Sequence, residues 1–480
     1  KSIGGNKADY MKQVLATNDG GYIASGLFSS ASIDLGNGVV INKGTDDDYQ
    51  SNGLIIKYNS EEKVEWAKAL GKNTSVVIRD LEETSDGGYL VAGCFWDSFI
   101  LEDKEKLINN GYSDAIIIKY SSKGELEWTK TIGSSENEDI NSIKETSDGG
   151  IIVGGSFMSP SLQLENGIIL NNSHPGYNDG MIIKYNANRE AEWAKTIGKD
   201  NENDTGGQDD EIIGVVEMPD GGFIAAGSTN SNQLELGNDV VVNKKQYDDG
   251  IIIKYKQNGE CEWAKTIGGD SSDQITAIEK TSDGGIIIGG KIGNVVELDN
   301  GITVGKTDEY TGIVLKCNNK GSCEWVNQIN NLDISYDDIN SIKENKSGDI
   351  IVGTSFTESS VNLENGITIS NKNSGTRDGI ILKYSANGEI KWAKGIGGTD
   401  NEEINSVDET TSGEIIAVGN YVTKNLKLDS KELINQGNTD GMILKVINKP
   451  TAEETQEITV ENTRKTFNIT TGVNIIDGTK

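Results

Sequence analysis

The chain has 480 residues, 75 of them acidic against 44 basic, one histidine and a net charge of −31. That balance excludes nucleic acid, whose phosphates need clustered Lys and Arg, and leaves no basic patch for an anionic membrane surface. A single histidine also removes multi-histidine zinc centres and weighs against Ser-His-Asp chemistry.

The chain opens on Lys1-Ser2-Ile3-Gly4-Gly5, half of a motif that is complete elsewhere. From there one pattern of about 62–70 residues repeats, a period typical of propellers and solenoids. The copy from Asp114 to Phe157 reads DAIIIKY, SSKGELEWTKTIG, an acidic loop, then INSIKETSDGGIIVGGSF. The DxIIxKY element recurs at Asn52, Asp114, Asp179, Asp249, Thr311, Asp378 and Asp440, and the DGG-type turn near Asp19, Asp86, Asp148, Asp220, Asp283, Gly348 and Gly413. EWAKTIG is complete only around Trp66, Trp128, Trp193, Trp263, Trp325 and Trp392. Its seventh copy is missing after Asp440 and is supplied by Lys1–Gly5, which describes a closed ring. The expectation is an all-β, seven-bladed β-propeller over 1–449, with four antiparallel strands per blade and the N-terminal strand completing the last one.

Within a blade, strand a (Ile140–Thr146) alternates apolar and polar residues, as a half-buried strand does. Asp148-Gly149-Gly150 marks a hairpin. Strand b (Ile151–Phe157) and strand c (Asp179–Tyr185) are apolar throughout, as strands covered on both faces are. Strand d carries the Trp at the outer edge. Lys57, Lys119, Lys184, Lys254, Lys316, Lys383 and Lys445 recur in strand c, and a Glu precedes five of the six strand-d Trp residues. Cross-strand pairing of these charges is expected, at ~0.2–1 kcal/mol each, with the lysines guarding the outer edge. The Trp residues are expected to pack between blades. Each b–c connection carries an LxLxNGIxLxN pattern, as in Leu162–Asn171, which predicts a type I′ hairpin projecting from the blade.

Strand direction reverses at each turn, so the long d–a and b–c loops share one face. Loops on a rigid frame carry binding sites. Asp139, Asp210, Asp273, Asp338 and Glu402 stand in the d–a loops, either as acceptors for turn N–H groups or as a ligand set with Trp96, the aromatic outside the repeat register. Asp200, Glu202, Asp204 and Glu211 take positions 1, 3, 5 and 12 of an EF-hand-like calcium loop, with Thr205 in place of its glycine. Cys317 and Cys323 flank one hairpin, but Cys261 repeats the position of Cys323 without a neighbour, so thiols are expected. His174, beside Pro175, is expected at the surface. TSDGG resembles part of the sialidase Asp-box but lacks its aromatic ending.

The run DAIIIKYSSKGELEWTKTIG…INSIKETSDGGIIVGGSF resembles the bacterial seven-bladed β-propeller repeat family labelled SBBP, over Lys1 to about Lys449. Thr311, Asn327 and Ser347-Gly348-Asp349 depart from its pattern. The resemblance implies a propeller within a large exported or surface-attached bacterial protein, and it carries no active-site residues over. Residues 450–480 read as a polar linker and the start of a further β-rich segment. The expected function is a non-catalytic extracellular adhesion or display module, monomeric within a longer chain, binding a host or cell-surface protein or glycan. No nucleic acid and no membrane insertion are expected, and calcium is the one cofactor that the loop spacing suggests. The alternatives are a carbohydrate-active enzyme using paired carboxylates on the same face, and a structural spacer.

Overall fold

The computed structural model describes residues 1–43, 50–72, 74–199, 209–298, 301–307, 309–330, 339–363, 366–429 and 431–446. Seven four-stranded antiparallel sheets form the ring. Blade 3 is representative, with strands a to d at Glu138–Glu145, Ile151–Phe157, Asp179–Tyr185 and Ala191–Ile197. The seventh blade takes Glu402–Glu409, Ile415–Tyr421 and Asp440–Val446, and its fourth strand is Ser2–Ile3 from the other end of the chain. Residues 450–480 lie outside the described residues.

No blade holds a core of its own. Apolar side chains on one face of a blade interdigitate with the next blade, as Ala92 and Ile117 do with Ile143, Val153 and Met181. This is why strands b and c read as unbroken apolar runs. The Gly-Gly of IIVGGSF serves the same packing. A Cβ on Gly154 would lie 2.6 Å from Ile212 of the next blade, and one on Gly155 would lie 2.0 Å from the Asp139 carbonyl oxygen.

Strand a lines the central channel, and each copy carries a one-residue bulge, between Ile140 and Ser142 in blade 3. A bulge disrupts the ladder locally, and the Ile-Asn-Ser triplet around it bonds the next blade instead. Asn141, Asn340 and Asn405 donate to the carbonyls of Ile212, Ile404 and Met11 at 3.1, 2.8 and 2.8 Å. Ser341 and Ser406 accept the N–H groups of Val407 and Val14, both at 3.1 Å. These bonds stitch the inner wall blade to blade.

The strand-c lysines differ from the expected edge guards. Lys57 and Lys184 are fully buried, and Lys119, Lys254, Lys316 and Lys383 nearly so, whereas Lys445 is more open. The strand-d Glu residues do approach, at 3.2 Å for Lys57–Glu65 and Lys184–Glu192. The shorter contacts go to the a–b turn: Asp19, Asp86, Asp148 and Asp220 hold their lysines at 2.7–3.0 Å. Each turn thus supplies a counter-ion to a buried ammonium. Blades 6 and 7 lack the turn Asp, and the acid sits two residues later: Asp349 reaches Lys383 at 3.3 Å and Glu414 reaches Lys445 at 2.7 Å. Burial pushes Asp86 and Asp283 up, but hydrogen bonds from Lys119 and Lys316 prevail and hold both at about 2. Asp220→Ala leaves buried Lys254 without that partner, and a loss of about 2 kcal/mol is expected, read as an earlier urea midpoint. An unchanged midpoint would contradict the counter-ion role.

The Trp residues clamp adjacent blades from outside. Trp66, Trp193 and Trp325 donate Nε1–H to the carbonyls of Ser122, Gln257 and Ala386 in the next c–d turn, at 3.0–3.1 Å. Where that turn has Arg189 instead of Gly, its guanidinium lies over Trp128, 5.2 Å from the ring centroid.

All seven b–c connections contain a two-stranded hairpin. Asn166 (φ 62°) and Gly167 (φ 75°) both take left-handed conformations, as a type I′ turn demands. The hairpins do not project from the ligand face as expected. They fold back along the outer wall, where Asn166 and Asn238 at the tips donate to the Ala191 and Cys261 carbonyls at the start of strand d. Their apolar rows explain this, because Leu162, Leu164 and Leu170 join the blade 2–blade 3 core. Cys94, Cys261, Cys317 and Cys323 are buried thiols; burial pushes Cys261 up to about 11.

Candidate functional site

The channel wall follows from the alternation of strand a. Toward the short-turn end, Lys144 contacts Asp80 and Glu82 at 3.1 and 3.0 Å, and Lys343 contacts Glu279 at 3.0 Å. Desolvation opposes the charge on both lysines, but the surrounding carboxylates outweigh it and raise them. Asp408 is raised by burial, with Lys343 opposing. Side chains from blades 2, 3, 5, 6 and 7 therefore meet in one ionic network there.

At the long-loop end the channel opens on a mixed rim. Arg79 contacts Asp139 at 2.8 Å and Arg377 contacts Glu403 at 2.8 Å. Lys12 stands between them, 5.8 Å from the Tyr10 ring centroid. Burial lowers its pKa, Glu403 opposes that, and the two arginines add to it. The rim can present donors and acceptors to a small polar group, but its arginines are neutralised by their carboxylates.

Of the five acids expected as one ligand set, the four described ones do not come together as a set. Asp139 faces the channel, whereas Asp210, Asp273 and Glu402 are buried behind it. Asp338 lies outside the described residues. The channel-facing equivalents of Asp139 are Glu211 and Glu403, each one residue later than the residue singled out, and a one-residue slip moves a side chain to the opposite face. Asp210 accepts from Thr229, Asn230 and Ser231, and Asp273 from the N–H groups of Gly269 and Gly293. These are structural clips. Of the calcium-loop candidates, Asp200, Glu202 and Asp204 lie outside the described residues. Glu211 accepts from Asn141 Nδ2 at 2.8 Å. Among the described residues no group of three Asp, Glu, His or Cys side chains converges as a metal site.

The buried acids have partners that sequence reasoning missed. The Asp opening strand c of one blade interacts with the acid opening strand a of the next: Asp179 with Asp210, Asp249 with Asp273, Asp378 with Glu402. The glycines of the TIGG element pass between them. A Cβ on Gly268 would sit 2.1 Å from Asp249 Oδ1, while Gly269 N–H donates to Asp273 at 2.7 Å. Burial is the main cause that raises Asp210, Asp249 and Asp378 to about 6 and Asp273 and Glu402 to about 7. The recurrence of Asp before IIxKY was the visible signal; its proximity to the next blade was not.

The long-loop face also concentrates exposed aromatic rings. Trp96 is 39% exposed, and its backbone N–H donates to the Ser75 carbonyl of a d–a loop. Tyr112, Tyr177 and Tyr247 each stand two residues before the strand-c Asp of blades 2, 3 and 4. Tyr112 and Tyr247 are 67% and 59% exposed. Tyr177 is half-buried beside His174, with ring centroids 5.1 Å apart. A cavity of about 530 Å³ lies elsewhere, lined by Asp148, Glu192, Trp193, Lys256, Gln257 and Asn258. Its chemistry is spent, since Asp148 and Glu192 hold Lys184 and Trp193 bonds Gln257.

No family model matches the chain. Regulatory protein FlaEY of Caulobacter vibrioides is 26% identical over 109 residues, 22% of this chain and 11% of that protein. The match spans only about a ninth of the length of that relative. Similar solved structures include a Bacteroides caccae protein of unknown function (8% identity, 81% of this chain and 94% of that one, TM-score 0.34). They also include the K499G mutant of NanB sialidase from Streptococcus pneumoniae (9%, 86% and 65%, TM-score 0.35). The extracellular domain of a putative one-component system from B. thetaiotaomicron follows (12%, 90% and 75%, TM-score 0.20). The architecture, a seven-bladed β-propeller, stands on the strand order of this chain itself. These likenesses are too distant to carry chemistry to it.

Proposed function

We propose that the chain is a non-catalytic extracellular binding or display module of a larger bacterial surface protein of the SBBP-like type, with the long-loop face as its ligand face. One observation carries this reading: the exposed Trp and Tyr rings of the described residues, Trp96, Tyr112 and Tyr247, all stand on that face. The remaining recurrent polar residues are consumed by the ring, as lysine counter-ions, inter-blade stitches and loop clips. The joint carboxylate pairs are closed to substrate, with Asp378 2% and Glu402 0% exposed, which leaves Asp139, Glu211 and Glu403 at the channel rim as the carboxylates an enzyme reading would use. No helix of the described residues is long and apolar enough to cross a membrane.

A surface-immobilised chain screened against host-protein and glycan arrays should retain specific ligands, and retention should fall when Trp96 is replaced by Ala. Blank arrays with and without calcium would leave the spacer role. Turnover of a glycoside abolished by Asp139→Asn would establish the enzyme instead. Calcium at the Asp200–Glu211 loop belongs to the same proposal, and a melting temperature indifferent to calcium and to chelator removes it.

A further inference from the structure

The aromatic residues of the long-loop face are distributed unevenly around the ring. The position two residues before the strand-c Asp is Tyr in blades 2, 3 and 4 and Gln50, Glu309, Thr376 and Asn438 in blades 1, 5, 6 and 7. Trp96 adds a fourth ring in blade 2. The three tyrosines occupy one structural position on consecutive blades, which marks a sector rather than scattered exposure.

The backbone beneath them is fixed. Tyr112 N–H donates to the Glu136 carbonyl at 2.9 Å, and Asp210 N–H and Asp273 N–H donate to the carbonyls of Asn178 and Asp248 at 2.7 Å each. Each of these three return loops is thus tied to the next blade's d–a loop. Tyr and Trp on such supports lose little conformational freedom when covered, which is why they dominate binding hot spots. Tyr112 and Tyr247 leave most of their surface in water.

The long loops of the sector carry Asp97, Glu136, Asp139, Asp209, Glu211 and Asp248 beside Lys72, Arg79, Lys199, Lys244 and Lys245. Arg79 and Asp139 neutralise one another, and Lys199 pairs with Glu235. Aromatic faces attract cations through the ring quadrupole, and nearby carboxylates reinforce that attraction. The net charge of −31 steers a basic partner toward the molecule and repels an acidic one.

Resting on the ligand-face reading, we propose that the blade 2–4 sector of Trp96, Tyr112, Tyr177 and Tyr247 binds arginine- or lysine-bearing polypeptide segments, the side-chain cations stacking on the rings between carboxylates. Neutral glycans stack on the same rings but make no use of the charges, and are the competing outcome of the test.

The test uses the full chain and a fluorescent peptide of five Arg-Gly units, with five Glu-Gly units and cellohexaose as comparison probes, at two salt concentrations. The Arg-Gly peptide should bind, weaken as salt rises, and lose at least tenfold in affinity to Tyr112→Ala/Tyr247→Ala. Tyr112→Phe/Tyr247→Phe, which keeps the rings, should stay within about twofold. Unchanged affinity in the double Ala variant would overturn the proposal, because attraction would then be to charge alone. Preference for cellohexaose, lost in the same variant, would overturn the cationic class while leaving the ligand face standing. No probe bound, together with blank arrays, would sink both. Circular dichroism melting of both double variants separates loss of binding from loss of fold.

Discussion

A chain lacking Lys1–Gly5 will melt well below the intact protein and expose the last strand of its seventh blade. The pairs Ser2↔Met442 and Ile3↔Gly441 are the whole of the fourth strand there. Ile3 is 2% exposed and packs with Val14, Ile416, Val418 and Ile443. Ser2 bonds Tyr421 at 2.6 Å and Asp440 at 3.1 Å, Gly5 N–H bonds Asp9 at 2.8 Å, and Lys1 Nζ lies 4.3 Å from the Tyr58 ring centroid. Loss of one buried isoleucine costs about 1.5–3 kcal/mol and each hydrogen bond about 1 kcal/mol, so about 5 kcal/mol is at stake. That is large for a terminal trim, because these residues join blades 7 and 1. Amide exchange should accelerate across Asp440–Val446, and the bared edge should promote association. A point variant, Ile3→Asn, should reproduce part of the loss. Equal melting temperatures and unchanged exchange in that strand would mean that the ring does not depend on this joint.

The second large effect is an inverted pH dependence. Asp210, Asp249 and Asp378 stand at about 6 and Asp273 and Glu402 at about 7 in the folded chain, against ordinary values of 3.8 for Asp and 4.5 for Glu. Above pH 7 all five are charged whether the chain is folded or not, and the folded state bears their burial and mutual repulsion. As pH falls from 7 toward 4.5 the folded chain takes up protons that the unfolded chain does not. Stability therefore rises on acidification, the gain being complete below the unfolded values. One shared proton at each of the three joints, at about two units each and about 1.4 kcal/mol per unit, places the gain on the order of 8 kcal/mol. Asp86 and Asp283 at about 2 act in the opposite direction only below 3.8, and the N-terminal ammonium, lowered by burial from 8.0 to about 6, offsets part of the gain between pH 8 and 6. The melting temperature should thus be higher at pH 5 than at pH 8. Asp249→Asn and Glu402→Gln, which remove one charge of a pair at an oxygen that accepts no hydrogen bond, should raise it at pH 8 and flatten the profile. A profile flat or falling from pH 8 to pH 5 would refute this account of the joints.

The lysines of strand c were expected at an edge because the spacing from Lys to Glu across strands c and d is local. The turn Asp that holds them is 33 to 38 residues away, as in Lys57–Asp19 and Lys119–Asp86. The displacement of that acid in Asp349 and Glu414 was visible as a departure from the repeat. It became intelligible only when both were found beside Lys383 and Lys445. The hairpins were legible from Asn-Gly and alternating leucines, but not their direction, since Leu162 and Leu170 pack against a neighbouring blade.

By itself the sequence determined the number of blades, their strand order, the swapped closing strand and the hairpin in every b–c connection. These follow from periodicity, turn chemistry and a motif cut between the two ends, all local properties of the chain. Only the tertiary structure decided which carboxylates meet. Asp139 and Asp210 look alike in sequence, yet one lines the channel and the other lies buried against Asp179 at a joint. The bulge in strand a and the approach of consecutive blades set that distinction. A repeat specifies its own fold many times over, but a site on a ring is made between repeats. There the neighbours are residues that the sequence holds about 30 to 70 positions apart.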